Sequence, residues 1–218
     1  MVTQGQFDTI KRKHGQYASW AVWAVAGASP TSNVGDMSVL DPEANPELLF
    51  VLNPAVVILG LNISRPVLEP LSNFHDKRSQ AKDFKIRFAF DGTRFYGAYM
   101  TDVLKFFVEV ESSKVISTVR QRRDILETSA AKLREEFRDL GTGKPEVIAF
   151  GADAASLARQ VLDRGDYSRL IQVTHYSYFI GKENYRKEVL AQCNGTEEKS
   201  SYVSVVTSCG GQSRVRKR

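Results

Sequence analysis

Cysteine is scarce in this chain of 218 residues, which has only Cys193 and Cys209. Two thiols cannot build a disulfide framework, a four-cysteine zinc site or an ordinary iron–sulfur cluster. We therefore expect any chemistry of this protein to proceed without a metal.

Long apolar runs are missing as well. The two longest, at 19–28 and 50–61, are shorter than the roughly 20 residues that span a bilayer. The N-terminal residues do not show the basic-then-apolar order of a secretory signal. A soluble, cytoplasmic and monomeric protein with no membrane partner is the expectation.

Complete nucleotide-binding motifs are also lacking. The segment Gly141-Thr-Gly-Lys144 resembles the end of a phosphate-binding loop, but Pro145 follows where Ser or Thr is needed and Arg138 stands where the first Gly is needed. No G-x-G-x-x-G follows the apolar run that ends near Gly60. We expect no cofactor.

Positive charge is in modest excess, with 30 Lys and Arg against 25 Asp and Glu. Four of the basic residues lie in the last five positions, so the rest of the chain has 26 basic and 25 acidic residues. Such a tail is either a nucleic-acid-binding arm or a solvated, disordered end. The body of the protein is nearly neutral.

Apolar runs typical of buried strands alternate with segments of helical periodicity, within an ordinary globular composition. This order predicts an α/β protein, a three-layer α/β/α domain over residues 1–193 with a central, mostly parallel sheet. Residues 194–218 form a Ser/Gly/basic appendage, part edge strand near Tyr202 to Val206 and part disordered. The predicted strands are 55–61, 96–108, 147–151 and 170–174, and the predicted helices are 112–140, 153–162 and 182–193.

Polar residues stand at the predicted carboxyl ends of three strands: Asn62, Asp102 and His175. Open α/β sheets bind ligands at that edge. Taken alone, Asn62 has the alternative role of capping a turn, and His175 that of a hydrogen-bonded residue at a strand end. Their joint placement at adjacent strand ends favours a binding or catalytic site.

Two short segments carry this pattern, Gly60-Leu61-Asn62-Ile63-Ser64 and His175-Tyr176-Ser177-Tyr178. They resemble the G-x-N-P-G and H-P-S-P motifs of the uracil-DNA glycosylase superfamily. The resemblance implies a parallel α/β/α sheet and cleavage of the N-glycosidic bond of a base flipped out of DNA. It also implies that Asn62 positions the hydrolytic water and that His175 hydrogen-bonds the departing base.

Two further matches concern recognition of the base. Phe74 lies about a dozen residues past the first motif, where family members have the aromatic residue that stacks on the base. Asp102, in Tyr99-Met-Thr-Asp-Val-Leu-Lys105, stands where they have the base-reading Asn. The resemblance also places Gly60 and Leu61 in the base pocket.

This chain departs from the family at three positions: Ile63 and Tyr176 replace prolines, and Asp102 replaces Asn. An ionised Asp only accepts hydrogen bonds, so it suits an exocyclic amine rather than the O4 of uracil. We therefore expect a cytosine-type or modified base. The structural alternative is that Asp102 caps a helix or pairs with Lys105 or an Arg.

The resemblance implies DNA contacts by four side chains near the two motifs, which are Ser64, Tyr176, Ser177 and Tyr178. Tyr176, Tyr178 and Phe179 are candidates for a wedge that fills the gap left by the flipped base. The alternative, for Phe179 above all, is packing within the domain.

The leading hypothesis is a DNA glycosylase with DNA as its partner, acting in repair or in defence against modified foreign DNA. The alternatives are a catalytically inactive nucleic-acid or nucleotide-binding module on the same fold, and an unrelated α/β enzyme or interaction protein.

Overall fold

A computed structural model of the protein describes residues 1–64, 69–105 and 107–195. Nearly all of the predicted C-terminal appendage, with its edge strand, Cys209 and the basic tail, therefore lies outside the described residues. Cys193 is a buried free thiol.

Five strands form one sheet in the order β1-β3-β2-β4-β5. The four strands β3, β2, β4 and β5 are parallel, and the two-residue β1 pairs antiparallel with β3 at one edge. The predicted α/β class and the mostly parallel sheet are therefore confirmed. The strands are β1 (Ser19–Trp20), β2 (Asn53–Asn62), β3 (Ala98–Leu104), β4 (Glu146–Phe150) and β5 (Arg169–Val173).

Helices cover both faces of this sheet. One hydrophobic cluster contains buried residues of α1, α2, α4, α5 and α6, and a second contains those of α3 and α7. The described residues thus form three layers. The helices are α1 (Gln4–His14), α2 (Leu48–Val51), α3 (Asp83–Phe90), α4 (Ser112–Gln121), α5 (Arg123–Asp139), α6 (Gly151–Val161) and α7 (Lys182–Asn194), with a 3-10 turn at Met37–Leu40.

The central position of β2 in the sheet explains why the middle of this strand is continuously apolar. Val57 and Leu59 belong to the first cluster, whereas Val56 and Ile58 belong to the second. Because successive side chains of a strand point to opposite faces, a strand covered on both faces needs apolar residues at every position. All four of these side chains are at most 4% exposed.

The predicted helix over 112–140 is two helices. Arg122 has φ −119° and ψ 78°, which no α-helix accommodates, so α4 ends at Gln121 and α5 begins at Arg123. The predicted strand 96–108 is shorter, since β3 covers only Ala98–Leu104. In contrast, α5 ends at Asp139, just before Gly141 with its φ of +65°, as the glycine pair predicts.

Three helices were not predicted: α1, α3 and the single turn α2. Polar or charged side chains take four of the nine buried positions in α1 and α3: α1 buries His14 beside Phe7 and Ile10, and α3 buries Asp83, Lys85 and Arg87 beside Ile86, Ala89 and Phe90. Charged side chains on the buried face hide the apolar period that sequence reasoning depends on. Within the described ranges, no helix combines the length and the apolar character that crossing a membrane requires.

Candidate functional site

Gly60, Phe74 and Asp102 meet on one face of the sheet, although they come from β2, the loop before α3, and β3. Gly60 and Asp102 are register partners in the parallel pair. A Cβ atom at Gly60 would overlap Asp102 Oδ1 and lie 3.0 Å from Phe74 Cζ. Only glycine leaves room here for both the carboxyl group and the ring.

Asp102 is a buried residue of β3 rather than the strand end that the sequence predicts, since β3 continues to Leu104. Its side chain is held by Asn73, whose Nδ2 lies 2.8 Å from Asp102 Oδ2 and 2.9 Å from the carbonyl oxygen of Tyr17. The alternative of an ion pair with Lys105 is wrong, because Lys105 Nζ lies 2.6 Å from Glu136 Oε1.

Burial determines the ionisation of Asp102. The residue is 2% exposed, and this desolvation raises the pKa of its carboxyl group to about 7, against the lowering effects of Asn73 and Lys105. The expectation from the sequence that Asp102 is ionised at neutral pH is therefore corrected by the structure. Both the acid and the carboxylate are populated near pH 7.

We expect Asp102→Asn to alter the pH dependence of folding stability. In the unfolded chain the carboxyl group ionises near pH 4, but in the folded protein its pKa is about 7. The stabilisation by the buried acid is thus lost as pH rises through this window. Relative to wild type, the free energy of unfolding of Asp102→Asn should rise by up to about 1.4 kcal/mol per pH unit between about pH 4 and about pH 7.

The measurement is urea unfolding of both proteins across that range, with Asp153→Asn, an exposed position on α6, as the control. Groups that do not interact with Asp102 titrate alike in both proteins, so their effects cancel in the difference between variant and wild type. A stability difference that stays constant with pH would contradict the raised pKa.

Phe74 has a left-handed backbone conformation, with φ +65°. For a bulky residue this costs on the order of 1–2 kcal/mol, so the surroundings must hold it in place. Trp23 Nε1 donates to the carbonyl oxygen of Phe74 at 3.2 Å, and Ser19 Oγ donates to that of Leu71, a second residue with positive φ. The N-terminal segment thus fixes the loop that carries the ring.

The hydrogen bonds of His175 define its tautomer. The backbone N–H of Ser177 donates to His175 Nδ1 at 3.1 Å, and Ser177 Oγ lies 2.8 Å from the same nitrogen. Nδ1 is therefore an acceptor, and the neutral ring carries its proton on Nε2. Burial lowers the pKa of His175, which favours that neutral form.

His175 reaches the other site residues through Tyr176. The two rings stack with centroids 4.4 Å apart, and Tyr176 meets Phe74 edge-on at 6.5 Å. The ends of β2 and β5 are not adjacent as predicted, because β4 lies between them. Gly151, with φ +84°, follows β4 and lies beside the His175 side chain, at a distance where a Cβ would make only ordinary van der Waals contact.

The connection between β5 and α7 exposes two aromatic side chains. Phe179 is fully exposed and Tyr178 is 64% exposed. The carbonyl oxygen of Tyr178 accepts a hydrogen bond from the nearly buried Lys85 Nζ at 2.8 Å, which anchors the turn beneath them. The alternative that Phe179 packs within the domain is therefore wrong. Tyr176, in contrast, lines the cleft described below and does not protrude as a wedge.

Asn62 ends β2, as predicted, but its amide group serves the backbone. Nδ2 donates to the carbonyl oxygens of Ile63, Phe107 and Glu109 at 3.0, 3.3 and 2.8 Å. These three acceptors fix the orientation of the amide, so Oδ1 is the atom left to accept. No hydrogen bond to Oδ1 is formed within the described part of the chain.

A cleft of about 500 Å³ lies beside these residues. Of the predicted site residues, Ser64, Phe74 and Tyr176 line it, together with the unpredicted Asn73 and Asp83. Gly60 and Asp102 do not line it, although a Cβ at Gly60 would meet both Asp102 and the Phe74 ring. Leu61 packs toward the opposite core cluster. Of Asn62, Phe74, Asp102 and His175, which were expected to share one cleft, Phe74 is the one that lines it. Asp102 and His175 are linked to Phe74 through Gly60 and Tyr176, whereas Asn62 makes its hydrogen bonds to the backbone of residues 63, 107 and 109.

Basic residues beyond Phe74 divide into two groups. Lys77, Arg78 and Lys82 are exposed, and Arg78 pairs with Asp76 at the cleft. Arg87, in contrast, is buried and donates to three backbone carbonyls of the loop at residues 24–32. Arg87, like Lys85, therefore has a structural role and is unavailable for contacts with DNA phosphates.

Asp83 is a cleft residue that sequence reasoning missed. It is 6% exposed, and burial raises the pKa of its carboxyl group to about 6. Its Oδ2 accepts the backbone N–H of Asp76 at 2.8 Å. Asn73 was missed likewise, because a single polar residue in a loop has no periodic signal.

Among residues 1–64, 69–105 and 107–195, no group of three His, Cys, Asp or Glu side chains is arranged to hold a metal ion. In comparisons with family models, curated proteins and solved structures, nothing matched this chain.

Proposed function

We propose that this protein is a DNA glycosylase that hydrolyses the N-glycosidic bond of a base flipped out of DNA. The observation that carries the proposal is the contact chain from Gly60, Asp102 and Phe74 to Tyr176 and His175. These residues come from four separate parts of the chain. Their convergence supports one site with an aromatic face, a hydrogen-bonding carboxyl group and a neutral imidazole donor.

The role proposed for His175 follows from its tautomer. When the bond between the sugar C1′ and the base nitrogen breaks, the electron pair stays with the base and negative charge develops on its oxygen. A hydrogen bond from His175 Nε2–H strengthens as that charge grows, and so it stabilises the transition state. Because the Ser177 N–H holds the other nitrogen, the donor is oriented beforehand.

Asn62 is proposed to orient the water. Its amide is anchored by three carbonyl oxygens through Nδ2, and Oδ1 can then accept from a water near C1′. The oxygen of that water bonds to C1′ as the bond to the base breaks, and one of the two water protons neutralises the anionic base. An amide is sufficient, since the electron-poor sugar carbon needs a positioned nucleophile more than a strong base.

Recognition of the base is assigned to Phe74 and Asp102. The ring of Phe74 offers a stacking surface, worth about 1–3 kcal/mol for one base. The carboxylate of Asp102 accepts from an exocyclic amine, which favours a cytosine-type or modified base over uracil.

The exposed Phe179 is proposed to enter the DNA stack when the base is flipped. We expect Phe179→Ala to weaken binding to a duplex that carries an abasic site by about 5- to 150-fold, equivalent to the loss of about 1–3 kcal/mol of stacking. The measurement is fluorescence anisotropy at fixed salt.

Phe50→Ala is the matched control for that experiment, because Phe50 is 61% exposed and lies just before β2, at the opposite end of the parallel strands. Equal loss of affinity in both variants, or no loss in Phe179→Ala, would be evidence against the wedge.

A panel of otherwise identical oligonucleotides tests the function itself. Each carries one cytosine, modified cytosine, uracil or other altered base, in single- and double-stranded form, and alkaline cleavage reports abasic sites after incubation with the full chain. Release of at least one base by wild type supports the proposal. Tight binding without release from any substrate would favour the alternative of an inactive binding module.

A further inference from the structure

Asn73 binds one oxygen of the buried Asp102 carboxyl group and leaves the other, Oδ1, against Gly60. Asn73 Nδ2 donates one hydrogen to Asp102 Oδ2 and the other to the carbonyl oxygen of Tyr17. Oδ2 is thus an acceptor in both protonation states of Asp102. The hydrogen bond from Asn73 to Oδ2 therefore favours Oδ1 as the site of a proton taken up by the carboxyl group.

Oδ1 is also the oxygen that lies toward the base-recognition residues. It approaches Gly60 so closely that a Cβ there would overlap it, and the Phe74 ring contacts the same glycine. As a carboxylate oxygen, Oδ1 accepts hydrogen bonds only; as a hydroxyl, it donates one. A cytosine-type base has an amine at C4 and a uracil-type base has a carbonyl, so the two states of Oδ1 suit different bases.

We propose that Asp102 reads the flipped base through Oδ1 alone and changes its preference from amino-bearing to oxo-bearing bases when that oxygen takes up a proton. This inference rests on the proposed glycosylase function. In the protonated state the acid acts as the family's Asn would, donating to O4. In the ionised state it accepts from the exocyclic amine and repels O4.

The surroundings allow this exchange near neutral pH. The charged groups around Asp102 are Lys105 from β3, Glu136 from α5 and Asp83 from α3; Lys105 lowers the pKa of Asp102, and the two acids raise it. Lys105 and Glu136 form a buried ion pair, with Nζ and Oε1 2.6 Å apart, so their effects oppose each other. Tyr176, from the β5–α7 connection, has a pKa well above its ordinary value and stays neutral.

The test uses two substrate pairs that differ only at C4, cytosine with uracil and 5-methylcytosine with thymine. Each base is placed opposite an abasic position in a duplex, so that pairing strength does not differ within a pair. Single-turnover release by the full chain is measured from about pH 5.5 to about pH 8.5. The quantity compared is the ratio of amino-base to oxo-base release, in which any titration of His175 cancels.

For wild type we expect this ratio to rise about tenfold per pH unit around neutrality, and by about 100-fold or more across the range. Asp102→Asn should give a ratio that is constant with pH and favours the oxo base, because Asn73 still holds the oxygen and the amide N–H₂ then faces the base. Asn73→Ala removes a donor that stabilises the carboxylate, which raises the pKa of Asp102. The switch in preference from oxo base to amino base should therefore occur at higher pH.

Release of either base with a wild-type ratio that is constant with pH would overturn this inference while leaving the glycosylase function intact. A pH-dependent ratio that persists in Asp102→Asn would also overturn it, because another group would then be responsible. Failure to release any base at any pH would overturn both proposals. The unfolding free energies of the variants show whether a lost signal reflects a lost fold.

Discussion

His175→Ala should reduce the single-turnover rate of base release by about 10²–10³-fold, the usual cost of removing one preorganised donor to a developing anion. The substitution leaves the strand β5 and the turn after it in place, because Tyr178 N–H donates to the backbone carbonyl of residue 175 and Lys85 Nζ to that of Tyr178. Affinity for DNA that contains an abasic site should change little. The substitution is thus expected to slow the cleavage of the glycosidic bond and not to weaken DNA binding.

His175→Gln and Ser177→Ala are the matched variants. Gln retains an N–H donor on a more flexible side chain and should recover part of the rate. Ser177→Ala keeps the backbone N–H that fixes the tautomer, and it should lose less than tenfold. A wild-type rate in His175→Ala would contradict the proposed role of the imidazole.

Gly60→Ala should abolish measurable base release and destabilise the protein by about 1–3 kcal/mol, as expected when one methyl group is inserted into a filled space. The new Cβ would overlap Asp102 Oδ1 and come within 3.0 Å of Phe74 Cζ. Asp102 cannot simply turn away, since Asn73 holds its other oxygen. The ring and the carboxyl group would both be displaced.

Gly165→Ala is the control, because a Cβ at Gly165 meets no atom within 4 Å. It should leave stability and base release near those of wild type. Urea unfolding and the release assay on the same preparations separate the two effects. Unchanged activity in Gly60→Ala would mean that the geometry around Asp102 does not matter for the reaction.

The α/β architecture could be predicted because its evidence is repetitive. At 56–59 in β2 and 147–150 in β4, successive residues face one of two buried layers, so the requirement for apolar residues recurs at each of these positions. The break at Arg122 could not be predicted, since the apolar period continues across it. What ends α4 there is the backbone conformation of a single residue.

The candidate site could be predicted only in part. Gly60, Phe74, Asp102, Tyr176 and His175 do lie in one contact chain, but the residue that orients the Asp102 carboxyl group is Asn73. Its two partners lie 29 and 56 residues away in sequence, and pairings at such distances are created by the fold. The raised pKa of Asp102 likewise comes from burial, which sequence does not show.

Detection of the released base tests the central claim most directly. Wild type and His175→Ala are incubated under single-turnover conditions with the oligonucleotide panel, and mass spectrometry identifies the free base and the abasic strand. We predict that wild type yields one free base and one abasic site per strand, and that His175→Ala yields both about 10²–10³-fold more slowly. Intact strands with every base after incubation with wild-type protein would contradict the account.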